Sequence, residues 1–320
     1  MFFFLRHSKV KGGESLPRRS FSLLFLLVLM IICHPVSAEK LIPMGHTIEV
    51  ELQLKHYFVT ENKRLESGEK LLVYDQIKAI NGQKITQQIL AEAQKNENTL
   101  TIQRGNEEIQ LSCTKDEWQQ LKHTFSNATE GIGTLTYITE DERMFGAVGH
   151  EISLKNGTEI SGGFIHLSKV QSVVKSEKNA PGYKKIHPIA LQENIGEVKQ
   201  NTVVGVFGKW DKDAPISGDA LPLKATEDIN VGEASMYTQV KDGNVEIFSI
   251  NITQVADGQL EFEITDKELL AITGGVIQGM SGSPIIQDNY FVGAVTHMFV
   301  ENPKKGAAIP IVDMYERLNK

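Results

Sequence analysis

Gly274-Gly275-Val276-Ile277-Gln278-Gly279-Met280-Ser281-Gly282-Ser283-Pro284-Ile285-Ile286 sets a serine beside a glycine, just ahead of a proline and an apolar run. A nucleophilic serine needs its hydroxyl presented at a tight turn with little bulk around it. The same turn can aim two backbone N–H groups, those of Gly279 and Ser281, at one point where an oxyanion forms. Gly279 reaches backbone angles that a Cβ resists, and Gly282 lets a scissile peptide come close. Pro284-Ile285-Ile286 and Phe291-Val292-Gly293-Ala294-Val295 read as buried strands joined by a turn at Asp288-Asn289. The residues suggest an activated serine between strands of a β-barrel. The plainer alternative is a Gly/Ser turn in an ordinary hairpin.

Upstream, the chain from Gly131 is a series of short strands punctuated by Gly, Asn and Asp. Strands are expected at 134–138, 144–148, 163–167, 170–174, 202–207, 234–240, 246–252 and 260–264, which argues for an all-β barrel or sandwich. Residues 311–318 have a helical pattern, and 267–270 look helix-like. Residues 41–112 form a smaller strand-rich module. Ile48, Val50 and Leu52 alternate with polar residues as a half-buried strand should. Residues 57–59 and 71–74 suggest further strands, and 77–85 a strand turning at Asn81-Gly82. Ile89, Leu90 and Ala93 fit a helix over 86–95 capped by Thr86, and 100–111 a closing hairpin. Residues 113–130 are polar and read as a linker, with Trp118, Leu121 and Phe125 at helical spacing.

The first 38 residues read as a signal peptide or signal-anchor. Five basic residues precede an apolar run of 13, from Phe21 to Cys33, and Val36-Ser37-Ala38 offers small residues for cleavage. That run is short for a membrane span. Beyond it stands only Cys113, so no internal disulfide and no cysteine metal site is expected. The chain has 320 residues and a net charge of −7, which argues against nucleic acid as the main partner. The scattered histidines support no metal site, and no cofactor is implied.

A serine nucleophile needs a base, usually histidine. Of the nine histidines, His150, His166, His187 and His297 lie in the strand-rich region beyond Gly131. His150 ends an apolar strand, Phe145-Gly146-Ala147-Val148-Gly149-His150, and is the candidate base. His166 sits among apolar strand residues, as a packed histidine would, and His187 precedes Pro188 in a polar loop.

Gly279-Met280-Ser281-Gly282-Ser283-Pro284 is similar to the nucleophile turn of chymotrypsin-like serine peptidases. The longer stretch from Val276 to Pro303 closely resembles the stage IV sporulation protein B peptidases of endospore-forming bacteria. Similar blocks lie at 41–52, 131–138, 145–153 and 264–275. The resemblance implies a mainly β fold: a chymotrypsin-like double β-barrel catalytic domain over 131–320, preceded by a reduced PDZ-like α+β module over 41–112. It agrees with His150 as base and points to Asp266 as the carboxylate that orients it. The residues leave other roles open, since Asp266 suits the N-cap of the 267–270 segment, and Asp211, Asp213 and Asp219 are alternative orienters. Thr296 and His297 follow the nucleophile strand, where this architecture places the wall that reads the substrate; a solvent-facing histidine is the alternative. Gly45 and Ile48 would form the loop that receives a peptide C-terminus. The resemblance further implies an exported protease of sporulation, secreted or membrane-associated, acting between forespore and mother cell. Its substrate would be a membrane-bound regulator of an intramembrane protease, with sigma-factor processing as the outcome and self-cleavage plausible. The rival is a non-catalytic protein that uses module and cleft to hold a partner.

Overall fold

A computed structural model describes residues 39–92, 96–139, 143–153, 159–187, 193–211, 213–214 and 218–318. The leader over 1–38 and the last three residues of the 86–95 helix lie outside the described residues. The described chain belongs to one compact unit, Glu39–Lys320.

The first strands are β1 (Lys40–Pro43) and β2 (Thr47–Val59). A module follows with β3 (Lys63–Arg64), β4 (Lys70–Leu71), β5 (Gln76–Ile80), β6 (Gln83–Lys84), α1 (Gln87–Glu92), β7 (Glu97–Arg104), β8 (Glu107–Thr114) and α2 (Lys115–Leu121). The chain returns through β9 (Phe125–Thr139), β10 (Met144–Ala147), β11 (Ile160–Leu167), β12 (Val170–Val174), β13 (Tyr183–Ile186), β14 (Glu193–Thr202) and β15 (Gly205–Trp210). After β16 (Leu221–Pro222) come β17 (Gly232–Thr238), β18 (Glu246–Ala256), β19 (Gln259–Ile264), α3 (Lys267–Thr273), β20 (Pro284–Gln287), β21 (Tyr290–Met298), β22 (Lys305–Pro310) and α4 (Ile311–Leu318).

These strands close two barrels. In the first, β9-β10-β15-β14-β11-β2 is shut by pairing of β2 back to β9. The second runs β17-β18-β19-β22-β21-β20 and is also closed. Alternation explains both: Ile48, Val50 and Leu52 point into the first barrel with Leu135, Phe145 and Ile165. Ile250, Ile252, Leu260 and Phe262 fill the second with Ile285 and Val292. Helix α4 seals the seam, its Ile311 and Met314 packing with Tyr137 and Phe207 of the first barrel and Phe291 of the second. The fold is thus mainly β and of the double-barrel kind.

Several boundaries differ from the sequence reading. β2 continues unbroken through Tyr57-Phe58-Val59, where a second strand was expected. It pairs with β9 on one side and β11 on the other, so residues 47–54 belong to the first barrel and not to the module. Only the far end of β2 reaches the module, with Tyr57 opposite Ile77 and Phe58 opposite Gln76. Residues 113–130 are no linker: α2 buries Trp118 and Leu121 in the module core, and β9 begins at Phe125. Thr114 opens α2 with a capping box to Glu117. The 202–207 stretch runs from the end of β14 through a two-residue turn, its Val203 exposed, into β15, so a hairpin replaces the expected single strand.

The peptide-receiving role expected of Gly45 and Ile48 is also corrected. Ile48 is fully buried in the first barrel. Gly45 packs against Tyr237 and Val245, and its N–H already donates to Leu135 O at 2.9 Å. With β2 paired on both sides there, no strand edge is open for addition.

Candidate active site

The cleft between the barrels has a volume of about 710 Å³ and is lined by Ser281, His150, Gly279, Thr296 and His297, among others. Glu49 and Glu130 lie on its first-barrel wall.

Ser281 arrives from the second barrel, on the turn between α3 and β20. Its carbonyl accepts from Thr134 N at 2.8 Å, and Gly282 N donates to Val295 O at 2.7 Å, so both barrels grip the turn. Gly282 holds φ +94°, and a Cβ there would lie 2.3 Å from Thr134 O and 2.5 Å from Val148 N. Only glycine fits this crossing. The Ser281 hydroxyl donates to Thr296 O at 3.1 Å, and no hydrogen bond joins it to His150.

The two N–H groups expected to face an oxyanion are aimed by the peptides that carry them. In a trans peptide the C=O and the next N–H point in opposite directions. Gln278 O accepts from Lys184 N at 3.1 Å and Met280 O from Ser283 N at 2.9 Å, which orients Gly279 N–H and Ser281 N–H. Neither N–H donates to any acceptor among the described residues. Thr134 Oγ1 donates to Gly279 O at 2.7 Å and fixes the following peptide as well.

His150 comes from the first barrel, at the bend after β10. Gly149 N donates to Ala147 O at 2.9 Å around Val148, which holds φ +73°. This γ-turn is a strained form, rare for a β-branched residue, and strain of about 1–3 kcal/mol is typical of functional loops. His150 Nδ1 lies 2.8 Å from Glu151 O. A carbonyl can only accept, so Nδ1 carries the proton and Nε2 keeps its lone pair free for a base's task. The His150 ring stacks on His297, with centroids 5.4 Å apart and planes at 26°. Burial, and then the neighbouring His150, push the His297 imidazole below its ordinary value. His297 is therefore mainly uncharged near neutral pH and adds little repulsion when His150 takes a proton.

Asp266 is not brought to His150. Its Oδ1 accepts from Leu269 N at 2.9 Å as the N-cap of α3, and its Oδ2 lies 3.5 Å from Ser249 N. Asp211 accepts from Asp213 N on its own loop. The residues holding the site that sequence reasoning missed are Thr134, Gly182 and Lys184. Thr134 sits inside a recognised strand, but nothing local tells which hydroxyl will cross to the other barrel. Tyr183-Lys184-Lys185-Ile186 has no apolar alternation, so the inward register of Lys184 gives no signal.

The SpoIVB peptidase S55 family matches residues 120–315. The chain belongs to this family. It is therefore a serine peptidase of sporulation, a hydrolase acting on peptide bonds. No curated protein matches the chain. A solved structure titled "Structure of GrC" is similar at 8% identity and a TM-score of 0.29, over 88% of this chain and 97% of its own, too distant to bear on fold or site. The SpoIVB family match begins inside α2 and so leaves out β2, although β2 closes the first barrel.

Proposed function

We propose that Ser281 and His150 are the working pair of this peptidase, with Gly279 and Ser281 N–H as the oxyanion hole. The observation that carries this reading is the meeting of the serine turn and the histidine bend in one cleft, with two aimed and unused N–H groups beside the serine. In this reading the Ser281 hydroxyl leaves Thr296 O and takes His150 Nε2 as its partner. Oγ then attacks the substrate carbonyl carbon, its proton passes to His150 Nε2, and the carbonyl oxygen turns to the two N–H groups. His150 returns the proton to the leaving amine, and water repeats the sequence on the acyl-enzyme. Thr296 and His297 border the bound chain, and Asp266 acts from a distance by fixing the start of α3.

The substrate in this reading is a membrane-associated regulator of an intramembrane protease, with self-cleavage as a second reaction and sigma-factor processing as the downstream result. Export fits the basic and apolar leader of residues 1–38. These finer points rest on family resemblance. The test is Ser281→Ala: hydrolysis of a peptide and self-cleavage both fall by about 10⁴–10⁶, with the melting temperature kept. Self-cleavage that persists in the purified variant would remove Ser281 from the chemistry.

A further inference from the structure

Lys184 is a lysine inside the protein, 1% exposed, on a hairpin that belongs to neither barrel. Its Nζ donates to Thr47 Oγ1 at 2.9 Å, from β2 of the first barrel, and to Thr238 Oγ1 at 3.3 Å, from β17 of the second. Among the described residues it has no carboxylate partner. A buried lysine is commonly paired, because desolvating an ammonium costs several kcal/mol. Here burial pushes the amine down to about 7, so a large neutral fraction is available near neutral pH. A side chain so costly to bury needs a reason, and its stem supplies one. A Cβ on Gly279 would lie 3.0 Å from Lys184 Cδ and 3.2 Å from Cγ, so the stem runs directly against the oxyanion turn.

The main chain does the same. Gln278 N donates to Gly182 O at 2.8 Å, and Lys184 N donates to Gln278 O at 3.1 Å. The two residues flanking Tyr183 therefore hold both ends of Gln278, in a short parallel bridge. Without them the Gln278–Gly279 peptide has no partner to stop it from turning over, which would withdraw Gly279 N–H from the cleft.

We propose that Lys184 is a positioning residue for the oxyanion hole: its backbone fixes the Gln278–Gly279 peptide, and its stem, tethered by two threonine hydroxyls across the barrels, backs Gly279. It touches no substrate. The inference rests on the reading of Gly279 and Ser281 as oxyanion donors.

The measurement is labelling by a fluorophosphonate, in which Ser281 Oγ bonds to phosphorus, fluoride leaves, and the phosphoryl oxygen needs the same two N–H groups. Labelling of the wild type, lost in Ser281→Ala, establishes the nucleophile first; without it the reading of Ser281 fails, and the inference with it. Lys184→Ala removes stem and tether, and should slow both labelling and kcat about 100-fold with KM within about threefold. Lys184→Met keeps the stem, and should recover about tenfold of that loss. If the alanine variant does not fold, Lys184→Met alone decides: a loss of about tenfold in kcat with unchanged KM supports the role. Folded variants that label at the wild-type rate, a loss confined to KM, or failure of both variants to fold would each overturn it, the last by making Lys184 a residue of the fold only.

Discussion

The two barrels have the same strand number and opposite histories along the chain. The second is drawn from six consecutive strands, β17 to β22, residues 232–310, with α3 but no strand of another sheet between them. The first is interrupted twice. The module stands between β2 and β9, and the β12–β13 hairpin between β11 and β14. The uninterrupted barrel presents the serine. The interrupted one presents the histidine, and one of its interruptions reaches across to hold Gln278. Insertions are tolerated where the chain ends that carry them stay close. Thr60 N and Oγ1 both meet Thr124 O, at 2.8 and 2.9 Å, so the module enters and leaves the barrel at one point.

Removing each part in turn separates the roles of barrel and module. A chain starting at residue 120 lacks β2, which is paired on both sides, and should neither fold nor cleave. A chain that keeps residues 39–60 and joins them to 124 by a short turn should fold and still cut a small peptide, with poorer handling of its protein substrate. Circular dichroism and a peptide assay distinguish the two. Activity in the first chain, or none in a folded second chain, would move the boundary between barrel and module.

A single atom tests the crossing between barrels. Gly282→Ala puts a methyl where Thr134 O and Val148 N now stand, at a φ that alanine resists. Displacement of Ser281 and His150 by about 1 Å should cost about 100-fold in kcat. The same change costs about 1–2 kcal/mol of stability from the backbone alone. Steady-state kinetics and a melting curve check both numbers, and a variant with near-normal kcat would show the seam to be soft.

How much of this was legible follows the same division. In the second barrel, strands and turns are readable because alternation and Gly/Asn/Asp turns are local, as in Leu260–Ile264 and Asp288-Asn289. In the first barrel, Ile48-Glu49-Val50-Glu51-Leu52 reads as a strand, but nothing local tells that it belongs to the barrel and not to the module. Its partners, around Ile132 and Phe164, lie beyond the module or further, and strand pairing at that distance leaves no mark in a window of ten residues. Lys184 was invisible for a different reason: charge predicts exposure, and only the tertiary setting reverses it.

Asp266 gives the smallest expected effect and the most informative one. In the structure its carboxylate caps α3 through Leu269 N, and His150 is held instead by Glu151 O and the His297 ring. Asparagine is as good an N-cap as aspartate, so Asp266→Asn keeps the Oδ1 acceptor. It loses the charge at the helix N-terminus, worth about 0.3–1 kcal/mol, and turns an N–H₂ toward Ser249 N–H in place of an acceptor. The melting point should fall by a few degrees at most, about 2–4 °C for a chain this long. Loss in kcat should stay within about tenfold, because a slightly loosened α3 still delivers residues 274–281 to the same turn. An orienting carboxylate behaves otherwise: its amide replacement favours the wrong imidazole tautomer and costs about 10⁴ in kcat with the fold intact. Measuring kcat and melting temperature together separates the cases. A loss near 10⁴ with unchanged melting would mean that the 265–280 segment moves toward His150 when substrate binds, releasing the cap of α3 to complete the site.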